Sequence, residues 1–103
     1  MKLASWNVNS LNVRLPHVEQ WCALAQPDVL GIQETKLEDT KFPRAAIEAK
    51  GYQVAFCGQK TYNGVALLAR QPIHDVVTDI AGLDDTKRRI LVENVGSMRI
   101  ANL

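Results

Sequence analysis

The chain has 103 residues, a length that fits one small domain with its own hydrophobic core. Its residues are 47% hydrophobic and 22% charged, which is ordinary for a globular domain and unlike a disordered or fibrous chain. The formal net charge of +1 excludes a strongly basic nucleic-acid tail and an acidic solvating tail, although it is compatible with a local basic groove.

The sequence contains no apolar run near the roughly 20 residues that a membrane-spanning helix needs. Its N-terminus, MKLASWNVNS, lacks the apolar segment of a secretion signal and is predicted to form the first strand of the fold. Cys22 and Cys57 fall in a predicted helix and a predicted strand, and two cysteines are too few for a disulfide scaffold. We therefore expect two reduced, buried thiols in a cytosolic protein that has no membrane partner.

The first third of the chain is predicted to form a strand, a helix and a second strand. The strands are residues 2–7 and 28–33. Between them apolar residues recur at helical spacing, with Pro16 in the first turn of the helix and Pro27 at its end. The apolar residues of the second strand are nearly continuous, which predicts burial on both faces. Such a unit of about 30 residues is typical of a right-handed crossover between parallel strands.

The rest of the chain is predicted to be rich in β-structure. A short helix over Pro43–Lys50 ends at Gly51, a residue type that often follows helices. Five short segments then alternate with turn signals such as Asn63-Gly64 and predict consecutive, mostly antiparallel strands. These segments are YQVAFC, GVALLAR, IHDVVTDI, RRILVENV and MRIANL. The last one stops at Leu103 without a turn or cap, so we expect the chain to be the front part of a longer domain.

Polar side chains follow both predicted parallel strands at the point where each strand ends. They are Asn7, Asn9 and Ser10 after the first strand, and Gln33, Glu34 and Lys36 after the second. Ligands of α/β sheets gather at the carboxyl ends of the strands. Because the crossover places these two ends side by side, one carboxylate, several amides and one ammonium group are expected at a shared edge.

This edge suits a magnesium ion, although the spacing alone does not require one. Mg²⁺ prefers oxygen ligands and is commonly held by one or two carboxylates plus phosphate oxygens, so Glu34 is a candidate anchor. Asn7 is suited to orient a water or a neighbouring carboxylate, and Lys36 to pair with an acidic group or a phosphate. Taken by itself, however, a strand that ends in Glu-Thr-Lys is more often a solvated strand end.

Other residues carry weaker signals. His17, near the start of the first helix, and His74, which follows Pro72 in a strand, are predicted surface residues. The motifs for zinc, phosphate-loop and dinucleotide binding are absent from the sequence. Trp6 and Trp21 are predicted core residues rather than platforms for base stacking. The run Lys87-Arg88-Arg89 is typical of a solvated basic face, but beside a phosphate-directed edge it is also suited to contact a nucleic-acid backbone.

The segments SWNVNSL, PDVLGIQETKLED, GQKTYNGVALLAR and DDTKRRI occur in this order, and together they resemble the exonuclease III family of abasic-site endonucleases, in its bacterial branch. The resemblance implies a four-layer α/β sandwich, with two packed mixed sheets flanked by helices. Residues 1–103 would be the N-terminal portion of this endonuclease/exonuclease/phosphatase domain, without its C-terminal catalytic half. It also implies a monomeric cytoplasmic enzyme, nucleoid-associated in a bacterium, that hydrolyses phosphodiester bonds with Mg²⁺ or Mn²⁺. Its expected partner is duplex DNA with abasic sites or 3′ ends.

The same resemblance implies roles for individual residues. Glu34 falls on the metal-binding glutamate of the family, and Asn7 falls on the active-site asparagine that helps to position the metal and catalytic groups. These two residues are therefore the expected catalytic and metal-site pair. Asn9, Gln33 and Lys36 are expected to support them from the surrounding positions.

Further positions concern DNA contacts and departures from the family pattern. Tyr62 and Asn63 fall in a loop that lies against the DNA backbone in this family, and Arg89 matches an arginine on the DNA-facing side. Ser10 stands where relatives often have glycine, and Asn12 where they often have a basic residue. The aspartate, asparagine, tyrosine and histidine that complete the family's site would lie beyond the end of this sequence.

These observations predict part of an exonuclease III-like DNA-repair nuclease that is catalytically inactive as the 103-residue chain. Three alternatives remain open at this point. One is a different phosphoesterase of the same superfamily that acts on a lipid or small phosphate ester. Another is a module that binds nucleic acid without cutting it, and the third is a fragment without an independent function.

Overall fold

A computed structural model of the chain describes residues 2–58, 63–78 and 91–102. In chain order its elements are β1 (Leu3–Asn7), α1 (Leu11–Ala25), β2 (Val29–Gln33), a 3₁₀ turn (Asp39–Lys41), α2 (Arg44–Glu48), β3 (Gln53–Cys57), β4 (Val65–Ala69), β5 (Ile73–Val77), β6 (Leu91–Val95) and β7 (Met98–Asn102). The strands form two sheets, one with the order β1-β2-β4-β3 and one with the order β5-β6-β7.

β1 and β2 are neighbouring parallel strands joined by α1, which confirms the predicted strand–helix–strand unit. In their register Leu3 lies opposite Val29, and Asn7 lies opposite Gln33. The two strands therefore end at the same level of the sheet. The residues that follow each end meet at one edge, as the crossover pattern predicted.

The start of α1 differs from the prediction. The helix begins at Leu11, so Pro16 lies in its second turn, and the placement of Pro16 in the first turn was wrong. The backbone N–H groups of Ser10 and Leu11 donate to the carbonyls of Glu34 and Thr35, at 2.8 and 2.9 Å. Leu11 is fully buried. The helix therefore begins where the loop after β2 supplies hydrogen-bond acceptors, which is a tertiary contact and not a local signal.

β2 and β4 are buried on both faces, as the continuous apolar run of β2 predicted. Side chains alternate between the faces of a strand. On one face Leu30 and Leu68 belong to a core that includes residues of both helices. On the other face Val29 and Leu67 pack in a second core with Leu91 of β6. The described residues thus form three layers, with helices on the first sheet and the second sheet behind it. This arrangement confirms the expected α/β class with two packed sheets.

The predicted β-rich segments all contain strands, and β3–β4, β5–β6 and β6–β7 are antiparallel pairs as predicted. β4 and β5, however, are consecutive in the chain and lie in different sheets. Residues 70–72, which include Pro72, lie between them and lead the chain from one layer to the other. The predicted helix after Pro43 is present as the shorter α2, and Gly51 follows it with a φ of +90°.

The predicted core residues are confirmed. Trp6 and Trp21 are half-buried and meet edge to face, with ring centroids 6.1 Å apart. Cys22 and Cys57 are buried, and neither is joined in a disulfide. Burial raises the pKa of the Cys22 thiol, which keeps it protonated and unreactive at neutral pH. Within the described ranges, no helix is long and apolar enough to cross a membrane.

Candidate active site

A cavity of about 490 Å³ opens at the edge where β1 and β2 end. Its lining residues come from both sheets and from the segment that precedes β4. They are Ser5, Asn7, Gln33, Glu34, Asn63, Gly64, Val65, Ala101 and Asn102. Several of them are the polar residues that the sequence places after the two parallel strands. The cavity is therefore the candidate functional site.

The Glu34 carboxylate is restrained by polar residues on β1 and in the loops that follow β1 and β2. Asn7 Nδ2 donates a hydrogen bond to Glu34 Oε2, and Asn7 Oδ1 accepts one from the backbone N–H of Asn9 at 3.1 Å. Lys36 Nζ donates to Asn9 Oδ1 at 2.5 Å and lies 4.0 Å from Glu34 Oε1. The structure thus brings together four of the predicted residues. The hydrogen bond from Asn7 restricts the orientation of the Glu34 carboxylate.

The loops that carry these side chains have an unusual backbone. Positive φ angles occur at Asn9 (47°), Ser10 (91°), Glu34 (55°), Lys36 (55°) and Asn63 (54°). This region of φ is uncommon for residues other than glycine, and such residues cluster at functional sites. The value at Ser10 lies in a region of φ that glycine adopts most readily. Local conformational preference is therefore overridden at this edge in order to place the side chains.

A short backbone contact joins the loop after β2 to the segment before β4. The N–H groups of Thr35 and Lys36 donate to the carbonyls of Gly64 and Asn63, at 3.2 and 2.8 Å. Gly64 has a φ of +94°, and a Cβ at this position would lie 2.2 Å from Oγ1 of the buried Thr35. Glycine is therefore required here, because only its backbone fits against Thr35. This close approach fixes both Glu34 and Asn63 at the cavity.

The donor set at the cavity fits a hard cation with oxygen ligands. The Glu34 side chain is 43% exposed, so its carboxylate is accessible from the cavity. Across the described part of the chain, no group of three or more histidine, cysteine, aspartate or glutamate side chains could hold a metal ion. A metal at this edge would rest on one carboxylate, with amide oxygens, waters or phosphate oxygens as its other ligands. Mg²⁺ is commonly bound in this manner.

Asn102 of β7 lines the cavity and was not anticipated from the sequence. It is 5% exposed, and its Nδ2 donates to the backbone carbonyls of Ile32 and Ala66, at 3.0 and 2.7 Å. A signal was present, because strand alternation places Asn102 on the same face as Met98 and Ile100. An amide on the apolar face of a strand indicates a buried polar contact. Its acceptors, however, lie far away in the sequence.

The structure leaves part of the predicted DNA-contacting set untested. Tyr62, Arg89 and the basic run that contains Arg89 lie outside the described residues. Asn63 is described and lines the cavity. His17 and His74 are exposed on α1 and β5, which agrees with their predicted place on the surface.

The fold and the site define a class of protein. Residues 4–100 match the model of the Endonuclease/Exonuclease/phosphatase family, and the chain belongs to that family. Within it the chain is similar to the Exodeoxyribonuclease III of Haemophilus influenzae, with 45% identity over 71 residues that cover 69% of this chain and 27% of the relative. The predicted resemblance to exonuclease III is therefore confirmed.

Solved structures agree with this assignment. The chain matches a 3′ phosphatase from Neisseria bound to a product DNA hairpin with a TM-score of 0.95 and 46% identity, covering 98% of this chain and 40% of that protein. It matches an AP endonuclease from Archaeoglobus fulgidus with a TM-score of 0.94 and 35% identity, covering 98% of this chain and 39% of that protein. The chain thus spans well under half the length of the relatives it matches.

Proposed function

We propose that residues 1–103 form the metal-binding N-terminal part of an exonuclease III-like DNA-repair nuclease. The complete enzyme hydrolyses phosphodiester bonds of duplex DNA, beside abasic sites and at 3′ ends, with Mg²⁺ or Mn²⁺. Two similar structures support this substrate class, since one is a 3′ phosphatase bound to a DNA hairpin and the other is an AP endonuclease. The observation that carries the proposal is the hydrogen bond from Asn7 to the Glu34 carboxylate, at the adjacent carboxyl ends of β1 and β2.

In this proposal the chain's own residues hold and orient the metal. Glu34 is its carboxylate ligand, and the hydrogen bond from Asn7 restricts the carboxylate to one orientation. Lys36 offsets the negative charge of Glu34 when the metal is absent, because its ammonium group lies 4.0 Å from Oε1. When bound, Mg²⁺ polarises a phosphoryl oxygen and stabilises the charge that develops on it. Tyr62, Asn63 and Arg89 are proposed to contact the DNA backbone.

Metal binding at Glu34 is the direct test of this function. We expect Mn²⁺ to broaden the NMR signals of the Asn7 and Asn63 side-chain amides, because both residues line the cavity with Glu34. Glu34→Gln should raise the Mn²⁺ dissociation constant about tenfold or more, measured by electron paramagnetic resonance of the free ion. Glu48→Gln, at an exposed position of α2, is the matched control and should bind Mn²⁺ as the unmodified chain does. Equal binding by the Glu34 variant would overturn the proposal.

We also propose that the 103-residue chain binds the metal but does not cleave DNA by itself. The support is that the chain spans well under half of its relatives and brings one carboxylate to the cavity in its described ranges. Purified chain incubated with Mg²⁺ and a duplex containing one abasic site should leave the duplex intact on a denaturing gel. Cleavage that Glu34→Ala abolishes would show that this part of the proposal is wrong.

A further inference from the structure

Asn102 connects the two sheets directly beneath the candidate site. Its Nδ2 donates to the carbonyls of Ile32 on β2 and Ala66 on β4. Ile32 and Ala66 are register partners in this strand pair, so one amide group is bonded to both strands at the same level. A buried amide whose donors are both used contributes to one defined arrangement of its surroundings. The second sheet is therefore tied to the two central strands of the first.

The first sheet has a space for this side chain. Gly31 precedes Ile32, and a Cβ at Gly31 would lie 3.4 Å from both Cγ and Oδ1 of Asn102. This is an ordinary van der Waals distance, so the Asn102 carboxamide packs directly against the backbone of β2 at Gly31. The contact therefore combines close packing with hydrogen bonds inside the fold.

The remaining polar atom of Asn102 contacts Gln33, the residue that precedes Glu34. Asn102 Oδ1 accepts a hydrogen bond from Gln33 Nε2 at 2.7 Å, and Gln33 Nε2 also donates to Ser5 Oγ at 3.0 Å. The Gln33 carbonyl accepts from the backbone N–H of Val8 at 3.1 Å. Both the side chain and the backbone of Gln33 are therefore held, and Gln33 is the residue that directly precedes Glu34. The position of the Gln33 backbone determines the position of the Glu34 Cα atom, where the side chain begins.

We propose that Asn102 is a positioning residue for the candidate site and that it acts through Gln33 to set the geometry of the Glu34–Asn7 pair. The second sheet thereby controls the carboxylate from the opposite layer of the fold. The inference rests on the proposed function only in taking a divalent metal as the ligand of Glu34. The hydrogen bond between Gln33 and Asn102 and the one between Asn7 and Glu34 are present in the chain without any ligand.

Two variants separate positioning from a merely structural contribution. Asn102→Leu removes all three hydrogen bonds of the amide. Gln33→Met removes the bonds from Gln33 to Asn102 Oδ1 and to Ser5 Oγ but leaves the bonds from Asn102 to Ile32 and Ala66 in place. Asn94→Leu is the matched control, because Asn94 makes its hydrogen bonds to Asp75 and Arg99 on the exposed side of the second sheet.

The first readout is the NMR signal of the Asn7 side-chain amide in the metal-free chain. In Asn102→Leu and Gln33→Met we expect this amide to move toward the chemical shift and fast hydrogen exchange of a free asparagine, since Glu34 no longer holds it. The second readout is the Mn²⁺ dissociation constant, which should rise about tenfold in both variants. The double variant should add little to either single one, because both act on the same link. Asn94→Leu should match the unmodified chain in both readouts.

Each result decides the inference. If Gln33→Met keeps the Asn7 signals and the Mn²⁺ affinity of the unmodified chain, the inference is overturned, even when Asn102→Leu lowers the melting temperature. If Asn102→Leu fails to fold, Gln33→Met alone decides, because it preserves the tie between the sheets. If the unmodified chain binds no Mn²⁺, the proposed function fails, and the Asn7 signals of the metal-free variants still support or overturn the positioning role.

Discussion

At the scale of single residues, the candidate site consists of side chains that restrain one another. Glu34 accepts a hydrogen bond from Asn7, whose amide oxygen accepts one from Asn9. Lys36 then bonds to the Asn9 side chain and lies close to the carboxylate. Such mutual restraint orients the carboxylate before a ligand arrives, which reduces the reorganisation that binding requires.

Gly64→Ala tests the close approach that supports this arrangement. Both the positive φ and the 2.2 Å distance from a Cβ to Thr35 Oγ1 oppose the substitution. We expect a loss of about 2 kcal/mol or more in the free energy of unfolding, measured by denaturant titration. Gly51→Ala is the control, since Gly51 has a similar φ of +90° and no atom lies within 4 Å of its Cβ position. The Gly51→Ala variant should lose only about 1 kcal/mol in its free energy of unfolding, because of backbone strain alone.

The difference between the two alanine variants isolates the collision with Thr35, because their backbone strain is comparable. Equal losses at the two positions would show that the contact with Thr35 relaxes without consequence. In that case the loop after β2 would not depend on Gly64 for its position.

At the scale of elements, α1 and β2 are coupled through the loops at the site edge. The backbone N–H groups of Ser10 and Leu11 bond to carbonyls after β2, which fixes the level at which the helix begins. Ser10 provides no side-chain cap to the helix. The start of α1 therefore depends on the same loop that carries Glu34. Disturbing the helix start should disturb the site.

Leucine-to-alanine substitutions at the two ends of α1 measure how strongly the helix depends on burial. Leu11 is 0% exposed and Leu24 is 79% exposed. Leu11→Ala should lower the free energy of unfolding by about 2–5 kcal/mol, through lost burial and a residual cavity. Leu24→Ala should change it by less than about 0.5 kcal/mol. Thermal or chemical unfolding of both variants provides the measurement, and similar losses would contradict the assigned burial.

At the scale of the whole molecule, the described part of the apolar core between the sheets contains one carboxyl group. Glu93 of β6 is 0% exposed, lies between the buried Leu91 and Val95 along the strand, and is paired across the strands with Ile100. Among the described residues, neither of its carboxylate oxygens has a hydrogen-bond partner. Burial disfavours the charged form and raises the pKa of Glu93 from 4.5 to about 7. Packing of the two layers is therefore sensitive to pH.

The sign of this dependence follows from proton binding. Between about pH 4.5 and 7 the unfolded chain releases the Glu93 proton while the folded chain keeps it, so the stability falls as the pH rises through this window. The loss amounts to about 1.4 kcal/mol per pH unit at most. Glu93→Gln should remove this component, and its unfolding free energy should vary less with pH. Parallel pH curves for the two proteins, measured by denaturant titration from pH 4 to 8, would contradict the raised pKa.

Much of the first layer was predictable because its signals are local. The continuous apolar run of residues 28–33 identified β2, and the helical spacing of apolar residues before Pro27 identified α1. The crossover rule then placed Asn7 beside Gln33 and Glu34. Glu34 was identified as a candidate metal ligand because it directly follows a buried strand. The spacing alone left a solvated strand end as the preferred interpretation, and the family resemblance favoured the metal site instead.

The element types, the parallel pairing of β1 and β2, and the family followed from the sequence, since each depends on neighbouring residues or on motifs in order. The start of α1 at Leu11, the separation of β4 and β5 into two sheets, and the place of Asn102 under the site depend on packing between distant parts of the chain. Asn102 and its acceptor Ile32 are 70 positions apart in the chain. No local pattern encodes a contact over such a distance, because it arises only when the two sheets pack and exclude water between them.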